Sequence, residues 1–255
     1  MLLAVDIGNT NIGLGVFEGE GLRATWRIAT DPQKMPDDYA VLLMTLLPHD
    51  GLTLSDIDEV IISSVMPPLV TTFEELCDRY MRVTPLVVGA GIKTGVRICT
   101  ENPREVGADR VVNAAAAHHL YGGPLIVVDF STAAILDAVS AEGDYLGGAI
   151  APGIKIAAEA LSVRASKLPR IELVRPRHAI GRNTVAAMQS GIFLGYVGLI
   201  EGLVARIREE LGGQAKVIGT GSLVEAIARE TKVIDVVNPD LTLIGLRLIN
   251  ELNKT

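Results

Sequence analysis

Aromatic residues, cysteines and basic clusters are all scarce in this chain. Aromatics make up 4% of the 255 residues while hydrophobic residues make up 49%, so any core must be aliphatic. With 21% charged residues, that balance fits a soluble α/β protein and excludes disorder. Cys77 and Cys99 are the only cysteines, and they form neither a disulfide framework nor a metal-binding pattern. The net charge is −7 and no basic cluster offsets it, which argues against electrostatic binding of nucleic acid. An acidic chain still binds nucleotides when metal ions and backbone N–H groups meet the phosphates. No Gly-x-x-x-x-Gly-Lys-Ser/Thr loop occurs, so a Walker-type site is excluded. No basic–apolar–small signal opens the sequence. The most apolar late stretch, Gly191 to Ile200, reads as too short to cross a membrane and is ended by Glu201. A cytoplasmic protein with no membrane or nucleic-acid partner is expected.

What is present is organised around the first turn. Leu2 to Val5 are continuously apolar, as in a buried strand, and Ile12 to Phe17 read as a second strand running back. Between them lie Asp6, Ile7, Gly8, Asn9, Thr10 and Asn11. A carboxylate at a strand end, beside a turn with small side chains and backbone N–H groups, suits a metal-bound phosphate. A plain β-hairpin accounts for the same residues equally well. A second copy tilts the balance. Leu125 to Val139, laid over Leu2 to Val16, puts Asp129 on Asp6, Ser131 on Gly8 and Thr132 on Asn9. Two such units near the starts of two halves imply a duplicated domain with a ligand between the copies.

The remaining pattern repeats as well. A third strand (Leu22 to Ile28) is followed by a helix from Asp37, a strand at Glu59 to Val65, a helix opened by Pro67-Pro68 and a short strand at Pro85 to Val88. Gly89 to Arg104 reads as a loop, and Gly107 to Arg110 precede an alanine-rich helix from Val111 to Leu120. The second copy leads through Pro152-Gly153 into a helix from Ile154. Gly181 to Leu211 is a long helical region with Gly191, Gly195, Gly198 and Gly202 in a row. Glycines so placed cost helix propensity, and close packing against another helix, within the fold or across a dimer, would offset that. Lys216 to Ile218, Val233 to Val237 and a helix from Asp240 to Leu252 complete the chain. A meander followed by alternating helices and strands, twice, is the order of duplicated ribonuclease-H-like domains, as in actin-like ATPases and sugar kinases. The expected division is 1–115 and 116–255, with the two Asp turns facing an interdomain cleft.

Two further features bear on chemistry. Gly219-Thr220-Gly221 follows a strand and precedes a helix; it reads as a nucleotide-contacting turn or as a tight strand–helix connection. Asp109 sits where a helix begins, either as an N-cap or as a base at a site where Arg110 and the helix N-terminus favour anions. In phosphoryl transfer a carboxylate accepts the hydroxyl proton while metal and backbone dipoles stabilise the moving group. Asp6, Asp109 and Asp129 thus divide metal, base and ion roles. His49, His118, His119 and His178 lack ligand spacing and read as structural, and Lys155 and Lys167 as solvated.

Taken together, the residues resemble the type III pantothenate kinases of bacterial coenzyme A synthesis over nearly the whole chain. The matching segments are Asp6 to Asn11, Glu101 to Arg110, Val128 to Phe130, Pro152-Gly153, Leu168-Pro169 with Ile171-Glu172, Ile180 to Thr184, Gln189 to Ile192 and Leu241 to Leu246. The resemblance implies an actin-like fold, a homodimer, and ATP-dependent phosphorylation of pantothenate to 4′-phosphopantothenate, a transferase reaction. Carried over, Asp6, Ile7, Gly8, Asn9, Thr10, Asn11, Ile12 and Gly13 would bind the ATP phosphates, with Asp6 on their Mg2+. Gly107, Ala108, Asp109 and Arg110 would hold pantothenate, with Asp109 as the base. Asp129 would bind K+ or NH4+, Thr132 would contact ATP, and Thr184 would contact pantothenate. Three departures stand out. The usual Asp-Phe-Gly-Thr-Ala-Thr-Thr is Asp129-Phe-Ser-Thr-Ala-Ala-Ile135; Thr-Gly-Gly is Thr220-Gly221-Ser222; and a tyrosine of the pantothenate pocket is Thr100. The altered second turn motivates the alternative of a non-catalytic, nucleotide-binding regulatory protein. Another small-molecule kinase is the third reading.

Overall fold

The computed structural model describes residues 1–254. The chain forms two compact units, Met1–Leu120 with Leu241–Thr255, and Tyr121–Asp240.

In the first unit, β1 (Leu2–Ile7), β2 (Asn11–Glu18) and β3 (Gly21–Ala29) form the meander, and β4 (Glu59–Ser64) and β5 (Leu86–Val87) extend the sheet. The order is β3-β2-β1-β4-β5, with β1, β4 and β5 parallel. The crossovers are α1 (Pro36–Leu46) and α2 (Pro67–Leu76), and α3 (Ala108–Tyr121) begins after the irregular stretch that follows β5. Each crossover helix starts with proline, where the missing N–H is harmless; at α1 the Asp38 carboxylate also accepts from the Met35 N–H at 2.9 Å. The two faces of this sheet bury different helices. Leu3, Val5, Val60 and Ile62 pack with Tyr39, Leu43, Leu69 and Phe73 of α1 and α2. Leu2, Ala4 and Ile61 pack with Val112 of α3 and with Leu243, Leu246 and Ile249 of α7 (Leu241–Leu252).

The second unit repeats the plan. Its sheet runs β10-β9-β6-β7-β8, built from β6 (Leu125–Phe130), β7 (Ala133–Val139), β8 (Tyr145–Pro152), β9 (Lys216–Gly221) and β10 (Val236–Val237). Helices α4 (Ile154–Arg164), α5 (Thr184–Glu210) and α6 (Val224–Ala228) accompany it.

Four expectations need correction. The terminal helix α7 belongs to the first unit, because its apolar face lies on β1 and β4, so the chain divides near 120 and again near 240, not once at 115. Asp109 is inside the first turn of α3 instead of capping it, since the helix starts at Ala108. The ungapped overlay of the two turns slips by one residue: Asp6 pairs with Gly13, but Asp129 pairs with Ile135. Val139 therefore lies opposite Leu125 as Phe17, not Val16, lies opposite Leu2. Finally, α5 runs 27 residues, so length and composition would let it cross a membrane. One face of it is nonetheless part of the core: Ile192, Tyr196, Ile200 and Val204 pack with Ile126, Val128 and Leu136 of the sheet.

Candidate functional site

Asp6 stands at the carboxyl end of β1, between Gly13 on β2 and Ser63 on β4. The turn after it is closed by the Gly8 N–H on the Asn11 carbonyl at 3.0 Å. A Cβ on Gly8 would meet that same carbonyl at 3.0 Å, so a larger residue would loosen the turn. Thr30, at the exit of β3, braces it: its Oγ1 donates to the Gly8 carbonyl at 2.7 Å and its N–H to the Thr10 carbonyl at 3.0 Å. Asn9, Thr10 and Asn11 form the exposed tip. Among the described residues no three of His, Cys, Asp and Glu gather into a cluster. A single carboxylate beside an open turn, with no further protein ligand, would fit Mg2+, which takes one or two carboxylates and completes its shell with phosphates and water.

Asp109, in the first turn of α3, is a perturbed carboxylate. Its Oδ1 is buried with no hydrogen-bond partner among the described residues. A Cβ on Gly107 would run into that oxygen, so glycine is required for the carboxylate to fold back there. Burial pushes its pKa above the usual carboxylate range, opposed by the Arg110 backbone N–H and the Arg110 charge. A half-buried carboxylate with a raised pKa and an unengaged oxygen is a better proton acceptor than a solvated one. Ala108 and Arg110 flank it, and the hydroxyl of half-buried Thr100 also lacks a partner among the described residues.

In the second unit, the turn at Asp129 is enclosed by two glycines. A Cβ on Gly153 would collide with the Thr132 carbonyl, so Pro152-Gly153 lies flat on the Ser131–Thr132 turn. Gly221 has φ +91°, and a Cβ there would come within 2.5 Å of Asp129 Oδ1 and 2.6 Å of the Phe130 carbonyl. Thr220 is the register partner of Asp129, and the Ser222 N–H donates to the Phe130 carbonyl at 3.1 Å. The Gly219-Thr-Gly221 turn and the Asp129 turn are thus one site. Burial and the nearby Asp129 carboxylate push the Tyr196 hydroxyl up to about 12.

Tyr196 also lines a groove of about 930 Å³ with Leu161, Leu168, Met188, Ile192 and Thr184. Gly191 and Gly195 open onto it, and a Cβ on either, or on Gly198, would touch nothing within 4 Å. Gly191, Gly195 and Gly198 therefore pack against no other segment among the described residues, while Gly202 meets the Arg206 guanidinium.

The family model described as type III pantothenate kinase matches residues 2–206. A curated type III pantothenate kinase of Dehalococcoides mccartyi (strain CBDB1) is 54% identical over 253 residues, covering 99% of this chain and 96% of the relative. The chain belongs to the type III pantothenate kinase family. Among solved structures, a Campylobacter jejuni protein assigned to the Baf family of transcriptional activators aligns with TM-score 0.62 at 19% identity, over 98% of both chains. An inorganic polyphosphate/ATP-glucomannokinase from Arthrobacter sp. strain KM aligns with TM-score 0.50 at 12% identity, over 99% of both. At such identities these two bear on the fold alone, the two-domain actin-like α/β fold.

Several segments that carry the family resemblance also make structural bonds. In Ile180 to Thr184, Asn183 caps α5 by accepting from the Ala186 N–H at 2.8 Å, and Gly181 packs directly on the backbone of Ala187. Gln189 and Ser190 anchor the preceding irregular stretch through the Glu172 carbonyl (3.0 Å) and the Ala179 carbonyl (2.6 Å). These bonds present Thr184 at the helix start. In Leu241 to Leu246, Gly245 lies against the Val112 backbone, and the Thr242 hydroxyl pairs with Asn113 at 2.7 Å, one turn beyond Asp109. This close packing of α7 on α3 sets where Asp109 stands. Thr30, Ser63, Asn113 and Tyr196 carry no local sequence signal, because each acts through a partner distant in the chain.

Proposed function

We propose that this pantothenate kinase family member transfers the γ-phosphoryl group of ATP to the primary hydroxyl of pantothenate, the entry to coenzyme A biosynthesis. The observation that carries the reading is the buried, unpartnered Oδ1 of Asp109 at the start of α3. That oxygen takes the hydroxyl proton, while Gly107, Ala108, Arg110 and Thr100 hold the substrate and Arg110 meets its carboxylate. Asp6 to Gly13 receive the ATP phosphates and Asp6 anchors Mg2+; the ion, when bound, neutralises charge on the phosphates. Thr132 contacts ATP, and Asp129 holds K+ or NH4+. The protein works as a cytoplasmic homodimer in which a second copy covers the groove, the glycine row and Thr184. That pairing accounts for Gly191, Gly195 and Gly198, which meet nothing within 4 Å among the described residues.

An assay with ATP, Mg2+ and pantothenate is expected to yield 4′-phosphopantothenate, faster with K+ or NH4+ than with Na+. Absence of product under every cation condition would sink the proposal. Equal rates in all three would remove only the assignment of Asp129. The regulatory alternative gains no support from the curated relatives, which are named as kinases. The Ser131 departure has its own expected signature. Ser131 is exposed, its hydroxyl donating to the Ala133 carbonyl at 3.5 Å, and it adds a Cβ where glycine would let the phosphate approach. Ser131→Gly therefore lowers the KM for ATP severalfold with little change in the KM for pantothenate; an unchanged ATP KM would make the serine neutral.

A further inference from the structure

One hydroxyl in the first unit has no use in the reading so far. Asp6 and Ser63 are register partners across the parallel β1–β4 pair. Their side chains leave the same face of the sheet, on strands about 4.8 Å apart. That face is the one covered by α3 and α7, and Gly13 on the far side of Asp6 adds no side chain to it. Ser63 is 0% exposed, and its Oγ has no hydrogen-bond partner among the described residues. Its neighbour Ser64 behaves differently: the Ser64 Oγ donates to the Met66 carbonyl at 3.1 Å and accepts from the Met66 N–H at 2.9 Å. A buried hydroxyl without a partner loses its hydration and gains nothing in return, so its retention calls for a partner that arrives later. The location favours a ligand, since open α/β sheets bind beyond the carboxyl ends of their parallel strands. Just past Ser63, Val65 lies 3.8 Å from where a Cβ on Gly107 would be, so the end of β4 approaches the segment carrying Asp109.

We infer that Ser63 is a positioning residue of the metal–phosphate site, its Oγ accepting a hydrogen bond from a water of the magnesium ion that Asp6 anchors. The inference rests on the assignment of Asp6 given above. Mg2+ keeps several of its waters when bound, and each needs an acceptor. A serine hydroxyl accepts from such a water, which would tie the metal's water shell to β4 beside Asp6.

The test compares wild type, Ser63→Ala and Ser64→Ala by thermal unfolding without ligand and by calorimetric binding of ADP, with Mg2+ or with EDTA. Ser63→Ala is expected to keep or raise the unliganded Tm, since it deletes an unpaired hydroxyl, while Ser64→Ala lowers it. Ser63→Ala is also expected to weaken Mg–ADP binding about tenfold, the loss of one good hydrogen bond, and to leave ADP binding in EDTA unchanged. Wild-type affinity for Mg–ADP, an equal loss with and without Mg2+, or a lowered unliganded Tm in Ser63→Ala would each overturn the inference. If wild type itself gains no affinity from Mg2+, the assignment of Asp6 falls and the inference falls with it.

Discussion

Asp109→Asn is expected to abolish most turnover and, in the same molecule, to raise Tm. Proton transfer by a positioned side chain contributes roughly 10²- to 10⁴-fold to a rate, so kcat should fall by about that factor. Pantothenate binding should persist, because the amide keeps the shape of the carboxyl and the rest of the pocket is untouched. The stability gain follows from the carboxylate's surroundings: burial holds its pKa above the ordinary value. A carboxyl with a raised folded-state pKa binds its proton more tightly folded than unfolded. Its ionisation therefore removes stability as pH rises through the folded value. The Tm advantage of Asp109→Asn should be largest above that pKa and shrink in acid, where wild type is itself protonated. In wild type, kcat/KM should fall as pH drops through the same raised pKa. A variant with near wild-type turnover would remove Asp109 as the base. One with lost turnover and a lowered Tm at every pH would make its role structural.

Gly221→Ala is expected to produce the largest loss from a single methyl group. The residue sits at φ +91°, which L side chains rarely adopt, and the added carbon would press on Asp129 Oδ1 and on the Phe130 carbonyl. Backbone strain of this kind costs about 1–3 kcal/mol before any clash is counted. At roughly 2–4 °C per kcal/mol, Tm should fall by about 5 °C or more. Asp129 cannot hold its position against the new contact, so ATP affinity and any response to K+ should fall together. The neighbouring Ser222→Gly restores the family's usual residue without such a contact and provides the control. If Gly221→Ala kept both wild-type Tm and wild-type ATP affinity, the tight closure of the second turn would be irrelevant to the enzyme.

The two turns show where local reading works and where it stops. Asp6 and Asp129 each end an apolar run and precede small residues, a signal carried within a few positions, and both occupy strand ends. The overlay of the copies nevertheless slipped after the turn. Hairpin register depends on how many residues the turn holds, and Gly8 to Asn11 make a longer turn than Ser131 to Ala133. Asp109 was legible as a helix-start carboxylate, but its unpartnered oxygen was not. That property comes from the fold-back over Gly107 and the close packing of α7 on α3 at Gly245, more than a hundred residues away. Within Ile180 to Thr184, Thr184 read as a substrate contact, and the structure adds beside it a capping role for Asn183.

Composition and periodicity alone determined the aliphatic α/β character, the repeated strand–Asp–turn–strand unit and the absence of a Walker loop. Those are properties of neighbouring residues, and short-range sterics and hydrophobic spacing suffice to express them. Tertiary structure alone decided that the last helix returns to the first unit, that Thr220 and Gly221 close the Asp129 turn, and that Ser63 stands beside Asp6 with its hydroxyl unpaired. Each of these depends on strand register and helix packing between segments far apart in the chain. At that range a side chain's partner is set by the burial of whole faces, and no local pattern encodes it.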